Sequence, residues 1–517
     1  MLVINHPSIS CQQLHLTNLC PKLILSPRTF SSVENTGLLY KKPLTTKSLK
    51  RSIPKLDKTQ KSKKRQRNRI LVSAPIKVEV NEFQINSHTS SDQTNPSTAL
   101  LSNGNVVVTW QGFNSNTHDS NTKNISARIF KPDTTMISRE FQVNTYFFNN
   151  QIKPKVAAFP SGGFAIVWSS YNEDLSAEGV YLQIFNNSGG KILSEQPVNT
   201  YTINDQTNPD IAILTSEKFV VTWDSKLQED LNSVGIYAQL YEKTGERIGT
   251  EIHVNTNNTI GNQSNPVIAA LDNGGFVIAY TSLDSQGSGI KIQIMDANGS
   301  HLGNYIAVND FEVKDQKNPA ICTIIDGRFV IVWESVDQDG SDTGIYAKIF
   351  FEDGSAVQPE FGVNSLTTGA QVYPKVARLT KGGFWVAWYT FNQYMGNKYA
   401  PHYKMYNQDG TQIGTDEIAI SSKLSYVSLG LDITSVNQGQ LFTTYTLDDN
   451  ADGDGAGVFG QFWQTYAPTD ITLANPKTIR ILKDSLQIGE LTTLTYGNSV
   501  TLLTSFLYFH SQLFINY

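Results

Sequence analysis

The residues that most invite chemistry are oxygen donors gathered in glycine-containing loops. In LDDNADGDGAG, Asp448, Asn450 and Asp452, followed by Gly453, match the first half of the D-x-[DN]-x-[DN]-G pattern that wraps oxygens around calcium, and Asp454 adds a further donor. The bidentate Glu that completes such a loop is missing, because Phe459 stands in its place. A second loop, VDQDGSDTG, offers Asp337, Asp339 and Asp342. Calcium is the cofactor these loops suggest; the plainer reading is that Asp and Gly are ordinary turn formers.

Catalytic constellations are harder to find. The eight histidines, at 6, 15, 88, 118, 253, 301, 402 and 510, keep no regular spacing and form no HxxxH pair. There is no GxSxG elbow, no P-loop and no S-x-D-x-G-x-x-W box. No catalytic residue is assigned. For a hydrolase or lyase, carboxylates near the centre of the fold would be the place to look, starting with Asp210.

Composition narrows the class. The chain has 517 residues, 39% hydrophobic and 17% charged, enough apolar material for a substantial core. Residues 1–70 carry 15 Lys and Arg against Glu34 and Asp57, a balance of +13, so the remaining chain is at −18 within the total of −5. The head includes KSKKRQRNR at 61–69, a possible nuclear address, anionic-surface anchor or processing site; a solvated, disordered tail is preferred. Cys11, Cys20 and Cys322 supply neither a disulfide framework nor a CxxC pair. The start lacks a standard signal peptide, and the apolar tail is interrupted by His510, Ser511 and Gln512, so no membrane span is expected.

The elements that must hold these loops follow from a repeat. A (V/I)N element ends at Asn86, Asn144, Asn199, Asn255, Asn309 and Asn364. An aromatic closes an apolar run at Trp110, Trp168, Trp223, Tyr280, Trp333, Trp388 and Tyr445, and QxxP begins at Gln93, Gln151, Gln206, Gln263, Gln316 and Gln371. Each unit, as in PVIAAL, FVIAY, IKIQIM and IAVN, reads as four short strands separated by Gly, Asn and Asp turns. Four strands in each repeat of this length is a propeller pattern. The unit at 424–463 lacks a fourth strand, and EFQIN at 82–86 is a lone fourth strand that can complete it. The Trp series reads as packing between blades, the Asn series as strand-end structure, and the glutamines as satisfying neighbouring backbone in preference to lining the central channel.

VNTYTINDQTNPDIAIL, DNGGFVIAY and DQDGSDTGIYAKIF resemble the repeats of very large bacterial surface and secreted proteins, and APTDITLANPKTIRILKDSLQIGELTTLT at 467–495 is similar to the opening of a cadherin-like repeat. The resemblance implies an exported, adhesive setting. The expectation is thus an all-β chain: a basic head at 1–77, a seven-bladed β-propeller of four-stranded antiparallel blades at 78–466, and a partial cadherin-like or irregular tail at 467–517. Its expected role is a monomeric, non-enzymatic binding or adhesion module, calcium-assisted, extracellular or at the cell surface, taking a protein or glycan ligand on a loop face and no nucleic acid. The alternatives are a propeller glycoside hydrolase or lyase and an intracellular scaffold.

Overall fold

The computed structural model describes residues 76–78 and 81–465, apart from 114–121, 229–232, 258–260, 381, 393–397, 421–429, 437–439 and 449–451, together with five strands between 471 and 516. The basic head through residue 75, with its 61–69 run, lies outside the described residues. The chain divides into one unit of residues 74–468 and another formed by 1–73 and 469–517. In the second unit, Thr478–Lys483 pairs with Leu486–Leu491 and with Ser511–Asn516, and Ile471–Thr472 pairs with Ser499–Val500.

Residues 74–468 form seven antiparallel sheets arranged as the repeat predicts. Blade 3 serves as the type: Gln206–Ile213 lies innermost, followed outward by Phe219–Lys226, Val234–Tyr241 and Arg247–His253. The innermost strands of consecutive blades are neighbours all the way round, from Gln93–Leu100 in blade 1 to Leu431–Ser435 in blade 7. Strand formation follows from alternating β-branched and aromatic residues bounded by tight turns. Gly163 shows why those turns need glycine: its φ is +88°, and a Cβ there would lie 2.6 Å from the Phe185 carbonyl oxygen.

Ring closure uses the two ends of the unit. Phe83 and Gln84 pair with Gly460 and Phe459, and Ile76–Val78 adds a further segment along the same strand. A closed ring leaves no inner blade with an unpaired neighbour, which limits edge-to-edge association.

The core lies between blades. All seven repeat aromatics are fully buried. Trp223 packs with Ala165, Val167 and Leu182 of blade 2 and with Val221 and Tyr237 of its own blade. Burial of such an indole is worth about 3–5 kcal/mol against Ala. The expected core-packing role of these aromatics is therefore what the fold shows.

The recurring Asn performs one task at every described junction. Its Oδ1 accepts the N–H at the start of its own blade's third strand, as Asn199 does from Val180 at 2.7 Å and Asn309 from Ile290 at 2.7 Å. Its amide donates to the backbone two residues on and to the Gln opening the next blade: Asn199 to Tyr201 O at 2.8 Å and to Gln206 Oε1 at 3.2 Å. Gln206 Nε2 then donates to Ile203 O at 3.0 Å. At the five junctions from Asn144 to Asn364 the glutamine thus locks the blade-to-blade connection through the preceding blade's Asn. Asn86 keeps the first of these bonds across the ring closure, accepting from Val458 N at 2.8 Å, but its amide donates to His88 O and to Asp452 Oδ2, and Gln93 Oε1 accepts from Trp110 Nε1 instead.

Candidate functional site at the ring axis

One position of the innermost strand breaks the repeat. It is the residue paired in each blade with the residue before the buried aromatic, following QxxP in the first six, and it reads Ser97, Lys155, Asp210, Val267, Ala320, Lys375 and Asp432 from blade 1 to blade 7. Two lysines and two aspartates therefore meet on the ring axis, each lysine one blade before an aspartate. Asp210 Oδ2 accepts the Ile268 N–H of blade 4 at 3.0 Å, and Asp432 Oδ2 accepts the Thr98 N–H of blade 1 at 2.8 Å. Each carboxylate thus caps the unpaired inner edge of the following blade and is held by rigid backbone.

Electrostatics in this ring are strongly coupled. Lys375 falls to about 8, first because the Lys155 ammonium of blade 2 reaches it across the axis and then through burial, with Asp432 and Asp210 opposing. Burial pushes the Asp210 carboxyl up, against the pull of Lys155, the N–H groups of Ile268 and Ile211, and Lys375. A lysine that exchanges its proton near neutrality and a carboxyl that retains one longer than usual are the groups acid–base chemistry requires.

A second polar layer lies two residues before the axial positions on the innermost strands. Asn95, Lys153, Asn208, Asn265, Asn318 and Tyr373, the residue before each QxxP proline, adopt φ between +51° and +57° within a β-bulge. Behind them, acceptors on the second strands take the bulge N–H of the next blade: Gln111 from Lys153 at 2.7 Å and Glu334 from Tyr373 at 2.7 Å. Asp224 accepts the Asn208 amide at 2.5 Å and is pushed up to about 7 by burial, against the hydrogen bonds from Asn208 and Asn265 and the charge of Lys153. Asn265 reaches Asn318 of the neighbouring blade at 3.0 Å. This layer is a rim of amides backed by buried acids.

The acidic loops lie elsewhere, on the connections between second and third strands. Asp339 Oδ1 accepts the Ser341 N–H at 3.1 Å, Oδ2 accepts the Asn364 amide at 3.3 Å, and a Cβ on Gly344 would lie 2.7 Å from Oδ2. Asp452 repeats this arrangement with the Asp454 N–H at 3.4 Å, the Asn86 amide at 2.7 Å and Gly457. Asp174 and Asp284 make the same turn in blades 2 and 4, each five residues before a glycine. Asp337 pairs with Lys314, Asp342 gives its carbonyl to the Asp337 N–H at 2.5 Å, and Asp454 Oδ2 accepts the Ser91 N–H at 3.3 Å. Asp448 lies at the end of the second strand of blade 7, while Asn450 lies outside the described residues. Among the described residues no three His, Cys, Asp or Glu side chains gather as a metal would need.

Of the axial residues, the sequence singled out Asp210 and left Lys155, Lys375 and Asp432 unnamed. The signal was present as a fixed offset from QxxP at which the repeat changes chemistry from blade to blade.

No family model and no curated protein matches the chain. Among solved structures, a protein of unknown function from Dyadobacter fermentans is 13% identical, with a TM-score of 0.47, over 76% of this chain and 99% of its own. An α-L-arabinofuranosidase from Fusarium graminearum is 12% identical, with a TM-score of 0.42, over 75% of this chain and 98% of its own. A sialidase from Streptococcus pneumoniae is 13% identical, with a TM-score of 0.41, over 74% and 70%. The expectation of a non-enzymatic adhesion module is corrected here. The matched structures include propeller glycoside hydrolases, among them an arabinofuranosidase, a sialidase, an arabinanase and a family-43 enzyme. No helix among the described residues is long and apolar enough to cross a membrane.

Proposed function

We propose that the chain is a carbohydrate-active enzyme, a glycoside hydrolase working at the mouth of its axial channel. The observation that supports this reading is the convergence of Lys155, Asp210, Lys375 and Asp432 on the axis from four innermost strands. Glycosidic cleavage needs one carboxyl to protonate the leaving oxygen and a second to activate water or attack the sugar. Asp210, raised by burial, is suited to the first role and Asp432 to the second. The two ammonium groups would steer an acidic sugar toward them.

A lyase is the second reading, and the lowered Lys375 favours it. With Lys155 neutralising a uronate carboxylate, neutral Lys375 would remove the proton on the carbon next to it; that electron pair would form a C=C as the C–O bond on the following carbon breaks, and the departing glycosidic oxygen would take a proton from Asp210. Polymeric glycans of either kind lie outside cells, so an extracellular setting accompanies the proposal, in keeping with repeats that resemble those of exported proteins.

The test is incubation of the full chain with arabinans, sialylated glycans and uronate-containing polysaccharides, scoring new reducing ends and unsaturated products. Turnover that collapses in Asp210→Asn supports the reading. A folded protein that turns over none of them removes it.

A further inference from the structure

The connection from blade 1 to blade 2 is held by a device that three blades share and one has altered. In blade 3, Ser225 donates to Gln228 Oε1 at 2.6 Å, and Gln228 Nε2 donates to Glu251 Oε2 at 2.8 Å. Glu251 also accepts the backbone N–H and hydroxyl of Thr200, fastening the incoming connection. Blade 5 shares the Gln-to-Glu part: Gln338 Nε2 donates to Glu360 Oε1 at 2.5 Å, and Glu360 Oε2 accepts the Asp310 N–H at 2.6 Å, while Gln338 Oε1 is buried without a hydrogen bond.

Blade 2 has Glu173 where the others have glutamine. Ser170 donates to Glu173 Oε2 at 2.6 Å, and Glu195 Oε2 accepts the N–H groups of Thr145 and, at 3.1 Å, Tyr146. Glu195 Oε1, the oxygen matching the acceptor for glutamine in the sister blades, is buried and makes no hydrogen bond. Both glutamates line a cavity of about 410 Å³ with Thr145, Tyr146, Phe147 and Phe148. Two carboxylates in the places of that Gln–Glu pair cannot make the amide-to-carboxylate bond, whereas a carboxylic acid and a carboxylate can.

We infer that Glu173 and Glu195 share one proton and form a proton-operated latch, which fastens residues 145–148 to blade 2 while the proton is held and releases them when it is lost. The charges around it support this. Burial is the main cause that lifts Glu173 to about 7; the Ser170 hydroxyl opposes, and Glu195 and Asp174 add to the rise. Burial also raises Glu195, against the hydrogen bonds from Thr145 and Tyr146 and the charge of Lys191. Tyr181 and Tyr146 complete the titratable groups facing the pair, and burial with the surrounding carboxylates keeps the Tyr181 phenol protonated. A group raised in the fold gives its full stabilisation below its unfolded value of about 4.3, and that stabilisation is lost as pH rises through about 7.

Hydrogen exchange of the full chain tests the latch with its sister as internal reference. Protection of residues 145–148 divided by that of residues 200–203 should fall about fivefold or more between pH 5.5 and 8. Glu173→Gln, which installs the sister chemistry, should hold the ratio constant, and Gln228→Glu should move the pH dependence to residues 200–203. A constant ratio in the wild-type protein, or an equal fall in Glu173→Gln, overturns the inference.

Discussion

Two sets of positions lie within a few residues of each other along the innermost strands of the first six blades, and they obey opposite rules. The Asn and Gln at each junction barely change around the ring, and their hydrogen bonds repeat within a few tenths of an ångström: Asn amide to Gln Oε1 is 3.2, 3.2, 3.1, 3.1 and 2.9 Å over five successive junctions. Four residues beyond each Gln, the axial position runs Ser, Lys, Asp, Val, Ala, Lys across the same six blades. A closed ring of equal units needs the same joint each time, so constancy marks the frame. Chemistry at a single axis needs different groups arriving from different blades, so variation marks the site.

That contrast can be broken where it is strongest. Trp223→Ala removes a frame residue and should lower stability by about 3–5 kcal/mol in urea unfolding, while turnover per folded molecule stays near wild type. A comparable loss of turnover at full folding would show that frame and site are not separable.

Asp224 sharpens the contrast from the rim. Its carboxyl is held at about 7 in the fold, against about 3.9 unfolded, so its stabilisation is complete below about 4 and is lost as pH rises to about 7. Asp224→Asn should flatten that part of the stability profile by up to about 4 kcal/mol. An unchanged slope would place the titration in other acids.

Asn309→Ala leaves the Ile290 N–H and Gln316 Oε1 without their buried partner, an expected cost of about 2–3 kcal/mol by denaturant midpoint. Asn199→Ala should cost the same within about 1 kcal/mol, because the two joints are built alike. Widely different values would contradict the equivalence of the joints.

Calcium should have the smallest effect. The Asp452 and Asp339 carboxylates already serve Asn86 and Asn364, so melts with calcium and with chelator should agree within about 1 °C. A larger rise that disappears in Asp452→Ala would put a cation in that loop.

How much was legible follows the same division. The seven blades, the closure by residues 82–86 and the buried aromatics were readable because each recurs at a fixed spacing, which identical packing requires. The glutamines were rightly assigned to structure, but their partner, the preceding Asn side chain, depends on how consecutive blades twist. Loops rich in Asp suggested calcium ligands, and an Asp turn against glycine uses the same residue types, so sequence alone could not separate the two. Asp210 could be suspected; its meeting with Lys155, Lys375 and Asp432 could not, since 222 residues separate Asp210 from Asp432 and only ring closure brings them to one axis.

The most direct test of the axial site is product release from the glycan panel by wild-type protein, Asp210→Asn and Val267→Ala, with folding checked by their melting curves. The account predicts turnover by wild type, a fall of about 10²-fold or more in Asp210→Asn, and near-wild-type rates in Val267→Ala. Turnover unaffected by Asp210→Asn, or none by any folded variant, would contradict it.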